Sequence, residues 1–125
     1  MRTCRFCSLV DTVNLADRFG TVVVVPDSFP VTPGHRLVVP VRHCDDYFAM
    51  TDVERADAAR ALIESRMRLL AEDPSVTGFN IGWNCGTSAG QTVEHAHGHL
   101  IPRRDNDTPE PAGGVRGVIP ERQKY

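Results

Sequence analysis

No apolar run in the chain approaches the ~20 residues a helix needs to cross a bilayer, so a transmembrane span is excluded. Neither sign of charge is in excess. Fourteen basic and 16 acidic side chains give a formal net charge of −2, which removes the electrostatic case for nucleic acid or an anionic membrane as main partner. Internal repeats and low-complexity tracts are also missing. There is no G-x-x-x-x-G-K-[ST], which excludes a P-loop, and no magnesium-type carboxylate cluster near the histidines. Met1-Arg2-Thr3-Cys4 lacks the apolar segment of a signal peptide, so a cytoplasmic location is expected. Cysteine is sparse: Cys4 and Cys7 form a C-x-x-C, while Cys44 and Cys85 stand alone and are expected to be small buried residues. In a reducing compartment this spacing suggests metal binding or redox chemistry more than a structural disulfide. A thioredoxin-like role would want a strand before the motif, and here the motif opens the sequence.

What remains is an ordinary globular composition. At 125 residues, 41% hydrophobic and 24% charged, the chain can bury one core. Thr21-Val22-Val23-Val24-Val25 predicts a buried strand ending at Pro26-Asp27. The rigid turn Phe29-Pro30-Val31-Thr32-Pro33-Gly34 leads into a second strand over residues 35–40, and so short a connection favours antiparallel pairing. Thr51 and Glu54 form a capping box, from which a helix is expected to run to about Ala71. Its expected buried stripe is Val53, Ala56, Ala59, Ile63, Met67 and Leu70. Residues 78–84 predict a third strand with Phe79, Ile81 and Trp83 on one face. The expected fold is α+β, a mostly antiparallel sheet with one long helix packed on it. Residues 1–104 form the catalytic domain on this reading, and 105–125 a surface tail or docking arm.

The chemistry concentrates at His95-Ala96-His97-Gly98-His99-Leu100-Ile101-Pro102. Side chains alternate along a strand, so His95, His97 and His99 would line one face. A structural strand would fill a face with Val, Ile or Phe; grouped imidazoles can bind a metal, relay protons or attack phosphorus. The preceding loop, residues 86–92, is rich in small and hydroxyl residues, which let backbone N–H groups approach an anion. Together they suit a phosphate-handling site.

These residues resemble the histidine triad (HIT) superfamily. The likeness rests on His-x-His-x-His-Leu-Ile-Pro-Arg at 95–103, Ala-Gly-Gln-Thr-Val at 89–93, the segment DSFPVTPGHRLVVP at 27–40 and CRFCSLV at 4–10. It implies a homodimeric α+β enzyme that hydrolyses purine nucleotide conjugates at the α-phosphate, such as phosphoramidates or dinucleoside polyphosphates. His97 would be the nucleophile that carries the nucleotidyl group, His99 would contact phosphoryl oxygens and help protonate the leaving group, and His35 would complete the constellation. Asn84, Gly90, Gln91 and Thr92 match positions at the phosphates, Asp27 the carboxylate for the ribose hydroxyls, and Phe6, Leu9 and Ser28 the base-pocket wall. Two departures stand out: Ala96 and Gly98 lie where larger aliphatics are common, so another group must fill the space behind the histidines. Glu94 stands at an often apolar position.

Some members are similar in a further respect, an N-terminal C-x-x-C that binds zinc. Cys4, Cys7, His43 and His95 would then form a closed structural Zn²⁺ site bracing the base pocket. Other readings stay open: a nucleotidyltransferase or phosphorylase using the same intermediate, a nucleotide-binding module without turnover, or a metallohydrolase with His95, His97 and His99 all on zinc. The apolar tail segment 113–120 is expected to dock across the dimer and trim the pocket mouth.

Overall fold

The computed structural model describes residues 4–125, so Met1, Arg2 and Thr3, on which the leader reading turns, lie outside the described residues. The elements are α1 (Arg5–Leu9), β1 (Arg18–Phe19), β2 (Val22–Pro26), β3 (Arg36–Pro40), α2 (Asp52–Glu72), β4 (Val76–Trp83) and β5 (Gly98–Arg104). The strands form one sheet in the order β1-β2-β3-β5-β4, with every neighbouring pair antiparallel. This is the α+β architecture the pattern predicts. Among the described residues no helix is long and apolar enough to cross a membrane.

The valine run of β2 is apolar throughout because the strand is covered on both faces. Val22 and Val24 pack with Phe19, Val38, Cys44 and Ala96 beneath α2, which contributes Ala58 and Ala61. Val23 and Val25 point the other way and join Leu37 and Val39 under Phe6 and Val10 at the N-terminal end of the chain. The short helix α1 has no apolar period to announce it, and the sequence reading does not contain it.

The capping box forms as expected: Glu54 N–H donates to Thr51 Oγ1 at 3.1 Å, and Thr51 N–H donates to Glu54 Oε1 at 2.8 Å. The expected buried stripe does not form. Val53, Ile63 and Met67 are exposed, and the buried positions are Glu54, Ala58, Ala61, Ser65 and Leu69. Small residues let the helix lie close on the sheet, and the buried Glu54 carboxylate is satisfied by Arg42, whose Nη2 donates to Oε1 at 2.8 Å. Two polar residues on the inner face hide it from a hydrophobic periodicity, and the apolar outer stripe mimics it.

The histidine strand also differs. β5 begins at Gly98, so His95 and His97 lie on the extended approach to the strand, pinned where Ala96 N–H donates to Cys44 O at 2.8 Å. Within the sheet, Gly82 faces His99 and Asn80 faces Ile101 across the β4–β5 pair, while Trp83 faces Gly98. Beyond β5 the chain folds into 3-10 turns at Gly114–Val118 and Pro120–Arg122. This segment is anchored at Asp107, which takes two hydrogen bonds from Arg103, and at Asp105, which accepts from Thr77 Oγ1 at 3.0 Å. It packs against the cleft of its own chain.

Candidate active site and metal centre

Each imidazole is oriented by a group that fixes where its proton sits. The His97 ring lies with Nδ1 2.8 Å from the His95 carbonyl. A carbonyl only accepts, so Nδ1 carries the proton and the neutral ring holds its lone pair on Nε2. Phe6 packs against this ring at 4.9 Å between centroids, and His99 at 5.3 Å.

His35 is 3% exposed at the entry to β3. Its Nδ1 accepts from Val31 N–H at 3.0 Å, which puts the proton on Nε2, 2.9 Å from His99 Nδ1. His35 therefore donates to His99, and the remaining proton of His99 sits on Nε2. Burial pushes the pKa of His35 down, and Asp27, whose Oδ2 lies 3.4 Å from Nε2, opposes that only in part. His99 is lowered too, by burial first and then by the neighbouring His97 and His35, against the raising effect of Asp27. Both rings are thus biased to the neutral form the hydrogen bonds require.

The first imidazole faces elsewhere. His95 is fully buried, its Nε2–H donates to Pro40 O at 2.8 Å, and Nδ1 faces Cys4 Sγ at 3.4 Å and Cys7 Sγ at 3.5 Å. Cys7 Sγ lies 3.2 Å from His43 Nδ1. One donor atom from each of Cys4, Cys7, His43 and His95 lies within 4.8 Å of the others. Tetrahedral zinc with bonds of about 2.3 Å to sulfur and 2.0–2.1 Å to nitrogen would hold N and S about 3.5 Å apart, so these residues fit the ion. Two thiols and two imidazoles are also the ligand types it favours. The three histidines do not converge on one point, because His95 Nδ1 addresses the cysteines while His97 and His99 face the cleft; this disfavours a single zinc held by all three.

The cleft, of about 1030 Å³, runs across the sheet on the face opposite α2. Phe6, Asp27, His35, Asn84, Gly90, Thr92, His97 and His99 all line it. Leu9, Ser28 and Gln91 are not among its described lining residues. The Gln91 side chain ties the loop together and to a neighbouring segment: its Oε1 accepts from Gly86 N–H at 2.8 Å, and Nε2 donates to Val93 O at 3.0 Å and to Asp45 O. The space behind the histidines is filled by Trp83. A Cβ on Gly98 would come within 2.6 Å of two indole carbons, so only glycine lets the strand lie on this ring. Sequence reasoning could not find that pairing, since neither residue signals the other at a distance of 15 positions.

A five-stranded antiparallel sheet with one long helix, with His99 on the strand paired to both neighbours and His95 and His97 on the approach to it, defines an α+β protein of the histidine triad type. Comparison bears this out: the HIT domain model matches residues 14–106, and the chain belongs to that family. An AP-4-A phosphorylase from Mycobacterium tuberculosis is 37% identical over 102 residues, covering 75% of this chain and 52% of that protein. A bis(5'-nucleosyl)-tetraphosphatase (asymmetrical) from Schizosaccharomyces pombe is 36% identical over 81 residues, 65% of this chain and 44% of that protein. The chain thus spans about half the length of these curated relatives. Among solved structures, a zinc-bound histidine triad family protein from Mycobacterium smegmatis superposes with a TM-score of 0.69 at 33% identity, over 86% of this chain and 80% of that one.

Proposed function

We propose that the protein is a nucleotide hydrolase that cleaves nucleotide conjugates at the α-phosphate through a covalent nucleotidyl group on His97. The observation that carries this reading is the hydrogen bond from His97 Nδ1–H to the His95 carbonyl, which leaves the Nε2 lone pair as the nucleophile beside His99. In the first step Nε2 bonds to the α-phosphorus, and the bond from phosphorus to the leaving oxygen or nitrogen breaks. His99 Nε2–H donates a hydrogen bond to that leaving atom, which departs with the electron pair and takes its proton from solvent. In the second step water attacks phosphorus and releases a proton to solvent, while the phosphorus–Nε2 bond breaks and returns its electron pair to His97. His35 holds His99 in the tautomer this needs. Asn84, Gly90 and Thr92 are placed to meet the phosphoryl oxygens, Asp27 to accept from ribose hydroxyls, and Phe6 to wall the purine.

Zinc on Cys4, Cys7, His43 and His95 would be structural, tying α1 to the residue whose carbonyl orients His97. The zinc-bound neighbour supports this assignment. The protein would act as a homodimer, with a nucleotide conjugate as substrate.

The test is release of AMP from adenosine phosphoramidate and from diadenosine tri- and tetraphosphate by wild type and by His97→Asn. Loss of at least about a thousandfold in the variant is the expected result. Similar rates in both proteins would overturn the mechanism. The name of the phosphorylase relative motivates a second reading, in which inorganic phosphate takes the nucleotidyl group from His97. ADP in place of AMP when phosphate is present would identify it.

A further inference from the structure

The proton order of the site starts in a surface turn. Val31 N–H, between β2 and β3, is the donor that commits His35 Nδ1. Residues 28–34 around it are exposed, apart from the half-buried Thr32. Phe29 and Val31, the large apolar side chains of the turn, are 81% and 69% exposed, so their packing does not hold it down. At its base Asp27 N–H donates to His35 O at 3.0 Å, and His35 N–H donates to Thr32 O at 3.1 Å. Backbone this exposed opens readily unless something else fastens it. Each opening would take Val31 N–H off the imidazole.

The fastening comes from β5, the strand that carries His99. Gly34 lies close against Leu69 and Pro102, and Thr32 Oγ1 donates to Pro102 O at 2.5 Å. Arg104, the last residue of β5, reaches back to the turn, where its Nη1 donates to Pro33 O at 2.8 Å. Arg104 is itself well fixed. Its Nη2 donates to Asp73 Oδ2 at 2.7 Å and its Nε to Ser75 Oγ at 3.3 Å, and its side chain is only 17% exposed. Asp73 in turn accepts at Oδ1 from Ser75 N–H at 3.0 Å and from the Ser75 hydroxyl at 2.6 Å. The Ser75 hydroxyl first, and then the Arg104 guanidinium, hold the Asp73 carboxyl at about 2, so the ion pair is complete at neutral pH. Asp73 also caps the end of α2. One guanidinium thus joins the helix end, β5 and the turn.

Arg104 is not among the described residues that line the cleft, so it has no direct part in binding or chemistry. Its reach is through backbone: Pro33 O lies two residues from Val31 and two from His35. Resting on the hydrolase reading, in which His99 meets the leaving atom, we propose that Arg104 is a positioning residue: through Pro33 O it keeps Val31 N–H on His35 Nδ1, and so keeps His35 Nε2–H on His99.

The test compares wild type with Arg104→Met, Arg104→Lys and Arg36→Met. Arg36 pairs with Glu72 at 3.2 Å, a tie from β3 to the same end of α2 that does not involve the turn. Amide hydrogen exchange at Val31, followed by NMR, reads the hydrogen bond itself. Arg104→Met should speed that exchange about tenfold and lower kcat for AMP release from adenosine phosphoramidate by a similar factor. The AMP dissociation constant should stay within about twofold of wild type, because the loss lies in orienting His99 rather than in holding the nucleotide. Arg104→Lys keeps a charge beside Asp73, and with it the fold, but lacks the fork that serves Pro33 O and Asp73 together; it should fall between the two. Arg36→Met should match wild type in exchange at Val31 and in kcat. The proposal falls if neither Arg104 variant changes Val31 exchange, if kcat survives faster exchange, if the loss lies in AMP affinity, or if Arg36→Met has the same effects. The hydrolase reading is judged by AMP release from the wild type alone, and exchange at Val31 judges the tether whatever that rate is.

Discussion

At the scale of single residues, the site works by assigning protons. Val31 N–H commits His35 Nδ1 as an acceptor, His35 then commits His99, and the His95 carbonyl commits His97. This makes a pH prediction with a definite sign. Burial lowers His35 and His99 below the ordinary imidazole value of about 6.5; protonating His99 at Nδ1 breaks the hydrogen bond between them, and protonating His35 at Nδ1 breaks the one from Val31 N–H. The part of the acid limb of kcat/KM for AMP release that His35 and His99 set should therefore lie below that value. Asp27 is the carboxylate that raises both histidines, so Asp27→Asn should move the limb lower still, beside whatever it does to KM. A limb that moves upward in the variant would show that Asp27 does not act on these rings. The alternation of the three histidines was legible because spacing alone dictates it. Their tautomers were not, since they depend on backbone carbonyls and amides that no side-chain pattern reports. Gln91 illustrates the limit: motif position suggests the phosphate, and no side-chain pattern reports its hydrogen bonds to Gly86, Val93 and Asp45.

At the scale of elements, the sequence predicted well where a local rule sufficed. The capping box fixed the start of α2, and the β-branched run fixed β2. It misjudged the orientation of α2, because Glu54 and Ser65 face inward while Val53, Ile63 and Met67 face out. The C-x-x-C could be read only as a pair of thiols, with its partners supplied by resemblance. Folding joins it to His43 and to His95, 88 residues beyond Cys7. The proposed zinc links α1 to the approach to β5, so removing one ligand should be felt in both. Protein purified without chelator should contain close to one equivalent of zinc by mass spectrometry, and Cys7→Ser should lose it. With zinc in about hundredfold excess over its dissociation constant, the loss is worth about 3 kcal/mol, roughly 10 °C in Tm for a chain of this size. Wild type free of metal, or a variant that melts with it, would remove zinc from the description of this fold.

At the scale of the whole molecule, the misplaced stripe acquires a meaning. Val53, Ile63 and Met67 are 61%, 62% and 56% exposed along one side of α2, an unusual outlay of apolar surface for a chain of 125 residues. The helix lies beside β4, where the Arg66 guanidinium sits 5.8 Å from the Phe79 ring centroid, and β4 is an edge of the sheet with Ile81 half exposed. An apolar helix face next to a free strand edge suits a second copy of the chain, since a two-fold axis pairs each patch with itself. Light scattering should then give twice the chain mass of 13.8 kDa, and Ile63→Asp should return it to a monomer. A wild-type monomer, or a dimer indifferent to Ile63→Asp, would overturn this assignment. The dimer would also reach β5. Trp83, the single tryptophan, lies on β4 against Gly98, between His97 and His99 in sequence. Shielding that edge would hold the indole against the strand that positions the imidazoles. Dissociation by dilution should accordingly shift tryptophan emission and lower AMP release over the same concentration range, whereas Ile63→Asp should show neither change on dilution.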